Sequence, residues 1–212
     1  MRDIPMFETA YGTAGLVLNQ IPCTGNAYIH IRDSIQFSEL LDECVCFCKA
    51  AGAERIYVCG NENAEAFPHY TDIVRMSCPL ERIEDTDACL MPVTDETYEQ
   101  WRLLYNERMS GVDNAAILTA FACRELVREK HAYFVHKNDQ LLGIGVADGE
   151  EIAAIASVVP GQGETVLKAL CHALSGPMVN VEVASTNSPA VHLYEKQGFV
   201  PVEIVRSWYC VL

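Results

Sequence analysis

The chain has 212 residues, of which 15 are Lys or Arg and 29 are Asp or Glu, giving a formal net charge of −14. Apolar residues make up 50% and charged residues 21%, a globular composition that at this length favours one large domain or one domain with a partial second. The acidic excess argues against nucleic acid as a partner, because duplex binding requires clustered Lys and Arg.

The first third of the chain alternates strand and helix patterns. In order, it predicts a strand at 15–18, a turn at 22–26, a strand at 27–31, a helix at 35–50, a strand at 55–59, a short helix at 64–69 and a strand at 73–76. Residues 81–87 are charged and have no apolar stripe, so we predict a linker there. An N-terminal α/β module of residues 1–85 would then precede a second domain of residues 86–212.

The second part begins with a run of strands and ends in strand–helix alternation, which predicts an α/β fold with a mixed sheet. In order, it predicts a strand at 88–93, helices at 94–109 and 119–129 around a loop at 111–114, strands at 132–136, 140–147 and 152–159, a helix at 163–174, a strand at 179–184, a short helix at 189–197 and a terminal strand at 202–212. The parallel part spans 152–184. There the helix N-terminus meets the carboxyl end of a strand, the usual place for an anionic ligand.

The sequence gives no sign of membrane insertion, since no apolar run approaches the roughly 20 residues of a membrane helix and residues 1–5 lack the apolar stretch of a signal peptide. The ten cysteines include no Cys-x-x-Cys pair, and Cys44, Cys46 and Cys48 cannot converge on a metal from one helix. We interpret the cysteines as small core residues in a reducing compartment. We therefore expect a cytoplasmic protein with no metal and no membrane partner.

Two glycines separate the strand at 152–159 from the helix that follows it. Gly161 and Gly163 let the backbone approach a ligand closely, and the first amides of the helix point outward, so that a phosphate fits there. A plain tight turn explains the same residues. The absence of a following Gly-Lys-Ser/Thr excludes a Walker loop.

Residues 187–199 combine two helix-end signals with apolar residues. Asn187 before Pro189 is an N-cap signal, and Gly198 is a C-cap signal. The complete pattern is Asn-x-x-Ala-x-x-Leu-Tyr-Glu-Lys-x-Gly-Phe. Together with the upstream strand–glycine–helix segment, it resembles the GNAT (GCN5-related) N-acetyltransferase superfamily, and the element order from residue 88 to 212 is similar to that family's fold.

The resemblance implies that acetyl-CoA is the acyl donor and that backbone amides of the glycine loop hold its pyrophosphate. In the family the loop reads Gln/Arg-x-x-Gly-x-Gly/Ala. Here Val158 takes the first position, Pro160 directly precedes Gly161, and the nearest basic residue is Lys168. The implied cofactor-binding residues are Ser157, Val158, Val159, Gly161, Gln162, Gly163, Glu164, Thr165, Asn187 and Ala190.

The resemblance also implies chemical roles. Asn187 would hydrogen-bond the pantetheine arm, the backbone of residues 157–159 would hold the thioester, and Tyr194 would protonate the departing thiolate as the general acid. Many members carry a Glu on the strand at 152–159, where this chain has Ala153 and Ala154. Glu151 is the nearest carboxylate and the candidate base, with a water-relayed base as the alternative.

Residues 25–78 resemble an abbreviated copy of residues 150–210. Asn63-x-x-Ala66-x-x-x-Tyr70 has the spacing of Asn187-x-x-Ala190-x-x-x-Tyr194, and the Ile-Val-Arg of residues 73–75 recurs at 204–206. One hypothesis is a degenerate half-GNAT module that does not bind coenzyme A. The other is an unrelated α/β extension that shapes the substrate pocket.

The expected function is the transfer of an acetyl group from acetyl-CoA to a primary amine, on a small molecule or a peptide, by direct attack. The shortened loop and the missing strand Glu favour, as the alternative, a non-catalytic acyl-CoA sensor or interaction scaffold. A nucleotide-binding protein is the third option. The sequence indicates neither the acceptor amine nor the oligomeric state.

Overall fold

The computed structural model describes residues 5–110, 112, 115 and 117–212. The described residues form a mixed α/β structure. Its strands are β1 (Met6–Thr9), β2 (Gly12–Val17), β3 (Asn26–Ser34), β4 (Arg55–Cys59), β5 (His69–Pro79), β6 (Cys89–Pro92), β7 (Ala132–Lys137), β8 (Gln140–Asp148), β9 (Glu151–Ser157), β10 (Met178–Ala184) and β11 (Val200–Cys210). Its helices are α1 (Ile21–Thr24), α2 (Phe37–Ala50), α3 (Tyr98–Met109), α4 (Ala120–Arg128), α5 (Gly163–Cys171) and α6 (Ser188–Lys196).

The predicted α/β class with a mixed sheet is therefore confirmed. The predicted helix at 64–69 is instead a 3₁₀ turn at Glu62–Ala66, and the predicted turn at 22–26 contains the single helical turn α1. Strand β1 was not predicted, because its four residues do not form a long enough alternating pattern. Of the predicted loop at 111–114 only Val112 belongs to the described residues, and residues 1–4 lie outside them.

The chain divides into two compact units, one comprising Met1–Ile73 with Ile204–Leu212 and the other Val74–Glu203. Strands β5 and β11 each contribute residues to both. The sequence predicted a domain boundary between residues 85 and 86. That boundary is a statement about which parts of the chain fold independently, so it stays a prediction.

The first unit is built around a parallel β3–α2–β4 crossover. Strands β1, β2 and β3 are antiparallel neighbours, and β3 pairs in parallel with β4 over five consecutive positions. One face of α2 packs on these strands through four buried residues, Leu40, Leu41, Cys44 and Cys48.

The second unit places helices on both faces of its strands. Strands β6 to β9 form antiparallel pairs, and β10 lies between β9 and β5. Helix α5 packs on one face in a core that includes Val135, Ile152 and Leu170. On the other face, Trp101 of α3 belongs to a second core together with Ile144. Because helices pack on both faces of the sheet, β9 and α5 are held in a fixed relation to each other. The end of β9 therefore has a defined position beside the start of α5.

The charged segment at 81–87, the predicted linker, lies against α5. Glu84 accepts a hydrogen bond from Lys168 Nζ at 2.8 Å, and Asp85 Oδ1 lies 2.7 Å from His172 Nε2. Ile83 of this segment also packs against the core that contains α5. His172 is exposed, and its partner is Asp85.

The element order of the predicted repeat is present in both halves of the chain. An antiparallel β2–β3 pair leads into the β3–α2–β4 crossover, as an antiparallel β8–β9 pair leads into the β9–α5–β10 crossover. The 3₁₀ turn at Glu62–Ala66 takes the place of α6 in the first half. The hypothesis of a degenerate half module is consistent with this order.

Six of the ten cysteines are buried, and all ten are free thiols. Cys23, Cys46 and Cys89 are exposed, so the interpretation as core residues does not hold for these three. Within the described part of the chain, no group of His, Cys, Asp and Glu could hold a metal ion, and no helix is both long and apolar enough to cross a membrane.

Candidate functional site

The parallel strands β9 and β10 pair at only two positions. Glu151 pairs with Asn180 and Ile152 with Val181. Both strands continue beyond these pairs, to Ser157 and Ala184 respectively, with no further pair between them among the described residues. Beyond Ile152 the two strands therefore enclose an opening, with unpaired backbone groups along its β9 edge.

A β-bulge in β9 accounts for this opening. The register with β8 shifts between Val146 and Ala147, which pair with Ala154 and Ile152, so Ala153 is an extra residue. A bulge bends its strand and increases the local twist. Ala153 directly follows the last residue that pairs with β10, so the bend begins where the two strands part.

Two glycines of β8 allow α5 to lie directly on the sheet beside the opening. A Cβ on Gly145 would lie 2.3 Å from a Leu170 methyl group, and one on Gly143 would lie 2.6 Å from a Val166 methyl group. Any side chain at these positions would push α5 outward. The close packing holds the first turn of α5 at the carboxyl end of β9.

The amides of Val158 and Val159 do not face the opening. Both donate hydrogen bonds to the carbonyl of Leu142, at 2.8 and 3.4 Å. Since backbone groups alternate in direction along an antiparallel strand, Ile155 and Ser157 present their N–H and C=O groups to the opposite edge. The backbone groups available to a ligand in the opening are therefore those of Ile155 and Ser157.

Residues 159–162 form the plain tight turn that the sequence left as an alternative. The amide of Gln162 donates to the carbonyl of Val159 at 3.2 Å, and Gly161 has a φ of 80°. Pro at the second position and a left-handed Gly at the third are the requirements of a type II turn. The turn delivers the chain directly into α5 at Gly163.

Three amides at the start of α5 are available to an anion. The amides of Gly163, Glu164 and Thr165 make no hydrogen bond within the described part of the chain, as expected in a first helical turn. The Gln162 amide is used by the turn. Within the predicted loop of residues 161–165, these three donors lie at the end of the helix where the dipole favours negative charge.

An ion-pair network surrounds these amides. Glu164 lies 2.9 Å from Lys168 Nζ and 2.8 Å from Lys196 Nζ, and Lys168 also pairs with Glu84. Hydrogen bonds from Lys196 and Lys168 lower the pKa of Glu164 to about 2. Lys168, the nearest basic residue in the sequence, is itself buried. Both lysines are therefore already paired with carboxylates.

Asn187 caps helix α6, as its position before Pro189 predicts. Its Oδ1 accepts a hydrogen bond from the Ala190 amide at 3.3 Å, and its backbone carbonyl accepts another from the same amide. The Ala190 amide is consequently used within the cap. The donor that Asn187 can offer to a ligand is its side-chain NH₂ group.

The C-terminal end of α6 is a Schellman motif. Phe199 N donates to the Tyr194 carbonyl at 3.0 Å, Gly198 N donates to the Glu195 carbonyl at 3.0 Å, and Gly198 has a φ of 87°. The Tyr194 and Phe199 rings pack with their centroids 5.5 Å apart, which is the apolar contact typical of this motif. The Tyr-Glu-Lys-x-Gly-Phe pattern thus has a complete structural explanation.

Tyr194 is buried, with 4% of its surface exposed, and its hydroxyl has no hydrogen-bond partner among the described residues. Burial raises the pKa of Tyr194 to about 12, because the phenolate would be poorly solvated. At any pH below this value the side chain is a neutral hydroxyl that can donate a hydrogen bond.

Glu151 lies at the closed end of the opening, six residues before Ser157. Its exposed side chain lines a cavity of about 400 Å³ together with Arg75, Asp148, Glu150 and Asn180. Arg75 pairs with Glu182 at 2.8 Å and also with Glu203. The cavity therefore has an excess of carboxylates over cations.

Sequence reasoning missed the bulge and the pairing of Glu164 with Lys196. Only the structure reveals the bulge: Ile152 and Ile155 contact the same core, although an odd spacing places residues on opposite faces of a regular strand. One extra residue between them restores a common face. The ion pair left no signal, because residues 164 and 196 are distant in sequence.

Comparison with known proteins gives matches only at the level of structure. No family model and no curated protein matches the sequence. A GCN5-related N-acetyltransferase from Anabaena variabilis matches with a TM-score of 0.63 at 11% identity, over 94% of this chain and 59% of that one. One from Sphaerobacter thermophilus matches with a TM-score of 0.53 at 11% identity, over 93% and 75%.

A third match is a conserved protein of unknown function from Staphylococcus epidermidis, with a TM-score of 0.57 at 11% identity over 99% of this chain and 94% of that one. Identities this low establish the fold alone. The matched structures agree with the fold expected from the pattern of residues 187–199. The chain has the fold of the GCN5-related N-acetyltransferases.

Proposed function

We propose that this protein is an N-acetyltransferase that transfers an acetyl group from acetyl-CoA to a primary amine by direct attack. The observation that carries the proposal is the parting of β9 and β10 after two pairs, between the first turn of α5 and helix α6. An extended thioester arm can complete the ladder that β10 leaves open, as an added strand does in β-augmentation.

The donor would be held almost entirely by backbone groups. In this proposal, the amide and carbonyl groups of Ile155 and Ser157 bind the pantetheine arm, and the Asn187 NH₂ group adds a hydrogen bond. The amides of residues 163–165 bind the diphosphate at the N-terminus of α5. Ser157 thus stays a proposed cofactor-binding residue, whereas the amides of Val158 and Val159 are used by Leu142.

In the proposed reaction, the amine nitrogen forms a bond to the thioester carbon, and the tetrahedral intermediate collapses with loss of the coenzyme A thiolate. Tyr194 donates a hydrogen bond to the departing sulfur. Its pKa of about 12 exceeds the value near 8.5 of an ordinary thiol, so the proton stays largely on the phenol. Tyr194 therefore stabilises the thiolate as a hydrogen-bond donor, and solvent supplies the proton.

The acidic cavity beside Glu151 suits a cationic acceptor. Asp148, Glu150 and Glu151 attract an ammonium group to the closed end of the opening. Glu151 then removes the proton that the amine must lose before it attacks. The proposed acceptor is therefore a primary amine on a small molecule or a peptide.

Calorimetric titration with acetyl-CoA, followed by a thiol-release assay over a panel of amines, tests the proposal. We expect saturable binding and turnover with at least one primary amine. No binding at millimolar acetyl-CoA would contradict the acetyltransferase assignment. Binding without turnover on any amine would replace it with the non-catalytic acyl-CoA sensor.

A further inference from the structure

The charges around the first turn of α5 cancel one another. Glu164 accepts hydrogen bonds from both Lys168 and Lys196, and Glu84 accepts a second one from Lys168. The four side chains together carry no net charge. Residues 155–167 contain no Lys or Arg, so the turn that would receive a diphosphate presents dipoles without an unpaired cation.

Glu164 carries a negative charge in the same helical turn as the three available amides. Its amide is one of the three available donors, and its carboxylate lies in the first turn of α5, where the helix dipole stabilises negative charge. Like any glutamate it is ionised at physiological pH, and hydrogen bonds from both lysines lower its pKa further, to about 2. A diphosphate bound at residues 163–165 would meet this carboxylate as a like charge and compete with it for Lys196.

Lys196 is the lysine that a bound diphosphate could draw away from Glu164. Its side chain is 63% exposed, whereas that of Lys168 is 10% exposed and has Glu84 as a second partner. An exposed lysine on a flexible stem can turn towards a phosphate when its carboxylate partner is removed. The Lys196–Glu164 pair also joins the last turn of α6 to the first turn of α5, the two helix ends beside the opening.

We propose that Glu164 is an internal counter-anion that weakens binding of the coenzyme A diphosphate, so that the donor is selected mainly through its pantetheine thioester. The inference rests on the proposed acetyl-CoA site. It gives Glu164 a function in donor selection, through charge, that is separate from the contribution of its backbone amide.

The test is calorimetric titration of the wild type and of Glu164→Gln with two donors, acetyl-CoA and S-acetylpantetheine, which lacks the nucleotide. We expect Glu164→Gln to tighten acetyl-CoA binding by roughly five- to twentyfold, the size of one partly exposed like charge. The gain should be absent for S-acetylpantetheine. It should also shrink in 0.5 M salt, at which such interactions are screened within about 4–5 Å.

Two further variants separate the charge effect from a structural one. Glu195→Gln removes the same charge from an exposed residue of α6 that forms no ion pair with any described residue, and it should change acetyl-CoA affinity by less than about twofold. Lys196→Gln combined with Glu164→Gln should cancel most of the gain, because the released lysine is then missing.

The outcomes distinguish this inference from the proposed function. If the wild type binds acetyl-CoA and Glu164→Gln binds it no more tightly, the counter-anion role is wrong and the acetyl-CoA site stands. An equal gain for S-acetylpantetheine would also overturn it, because the effect would not involve the diphosphate. If neither donor binds wild type or variants, the proposed function and the inference both fail.

Discussion

Tyr194 illustrates how one residue serves both the fold and the proposed chemistry. Its carbonyl closes the Schellman motif with Phe199, and its ring packs on the same residue. Sequence spacing could locate it, since the motif fixes a helix end, an apolar ring and a glycine at set positions. Its raised pKa could not be predicted, because that depends on burial by residues from other elements.

Replacement of Tyr194 by Phe tests its chemical role without removing the ring that packs on Phe199. We expect Tyr194→Phe to bind acetyl-CoA within about twofold of wild type and to lose roughly 10²–10⁴-fold in kcat if the hydroxyl stabilises the thiolate. Calorimetry and a thiol-release assay measure the two quantities. Unchanged kcat would remove Tyr194 from the reaction.

The pH dependence adds a second readout at this residue. The neutral phenol is the active form, and burial places its pKa at about 12. Ionisation of Tyr194 therefore causes no loss of kcat between pH 8 and about 10, whereas an unperturbed phenol would have lost half of its donor form at about pH 10. A fall in kcat with a midpoint at or below about pH 10, present in the wild type and absent in Tyr194→Phe, would contradict this assignment.

Among the elements, β9 is the one on which the proposed site depends. Its existence could be predicted from the apolar residues at 152–159, but its parting from β10 could not. A parallel crossover specifies which strands are neighbours, whereas the length of their pairing depends on the bulge at Ala153. In the first half, β3 pairs with β4 over five positions, so the equivalent crossover is closed there.

Deletion of Ala153 tests whether the bulge creates the opening. Without the extra residue, the β8–β9 ladder becomes continuous from Ile152 to Ala154, and both residues keep their present partners. We expect a folded protein in which β9 runs straighter beside β10 and acetyl-CoA affinity falls at least tenfold. Amide NMR spectra report the fold, and calorimetry reports the affinity.

A substitution at the same position serves as the matched control. Ala153→Ser retains the extra residue and should keep wild-type affinity, because the side chain at 153 is exposed. A folded deletion variant that bound acetyl-CoA as the wild type does would show that the bulge is not needed for binding.

At the scale of the whole molecule, sequence reasoning placed the division at a charged segment. The composition of residues 81–87 is that of a linker, but Glu84 and Asp85 pair with Lys168 and His172. Charge alone does not distinguish a solvated connection from a segment held by ion pairs, since the partners lie more than 80 residues away. The chain instead passes from one compact unit to the other within β5, after Ile73, and back within β11, after Glu203.

Two fragments compare these divisions. Residues 86–212 lack β5, and Met76 and Cys78 of that strand are buried in the α5 core. They also retain Trp208, whose ring packs beside Tyr28 in the core of the first unit. We expect this fragment to aggregate or to give a collapsed NMR spectrum. The fragment of residues 74–203 keeps the α5 core complete and should show dispersed amide signals. A well-folded and fully active 86–212 would support the predicted boundary and make the first 85 residues dispensable.

We propose that acetyl-CoA binds between β9 and β10. A crystal structure of the protein with acetyl-CoA would show whether it does. We predict a pantetheine arm in the opening, bonded to the backbone of Ile155 and Ser157, with the diphosphate at the amides of residues 163–165 and the thioester sulfur within hydrogen-bond reach of the Tyr194 hydroxyl. Acetyl-CoA bound elsewhere, or an opening that stays empty at saturating ligand, would contradict the account.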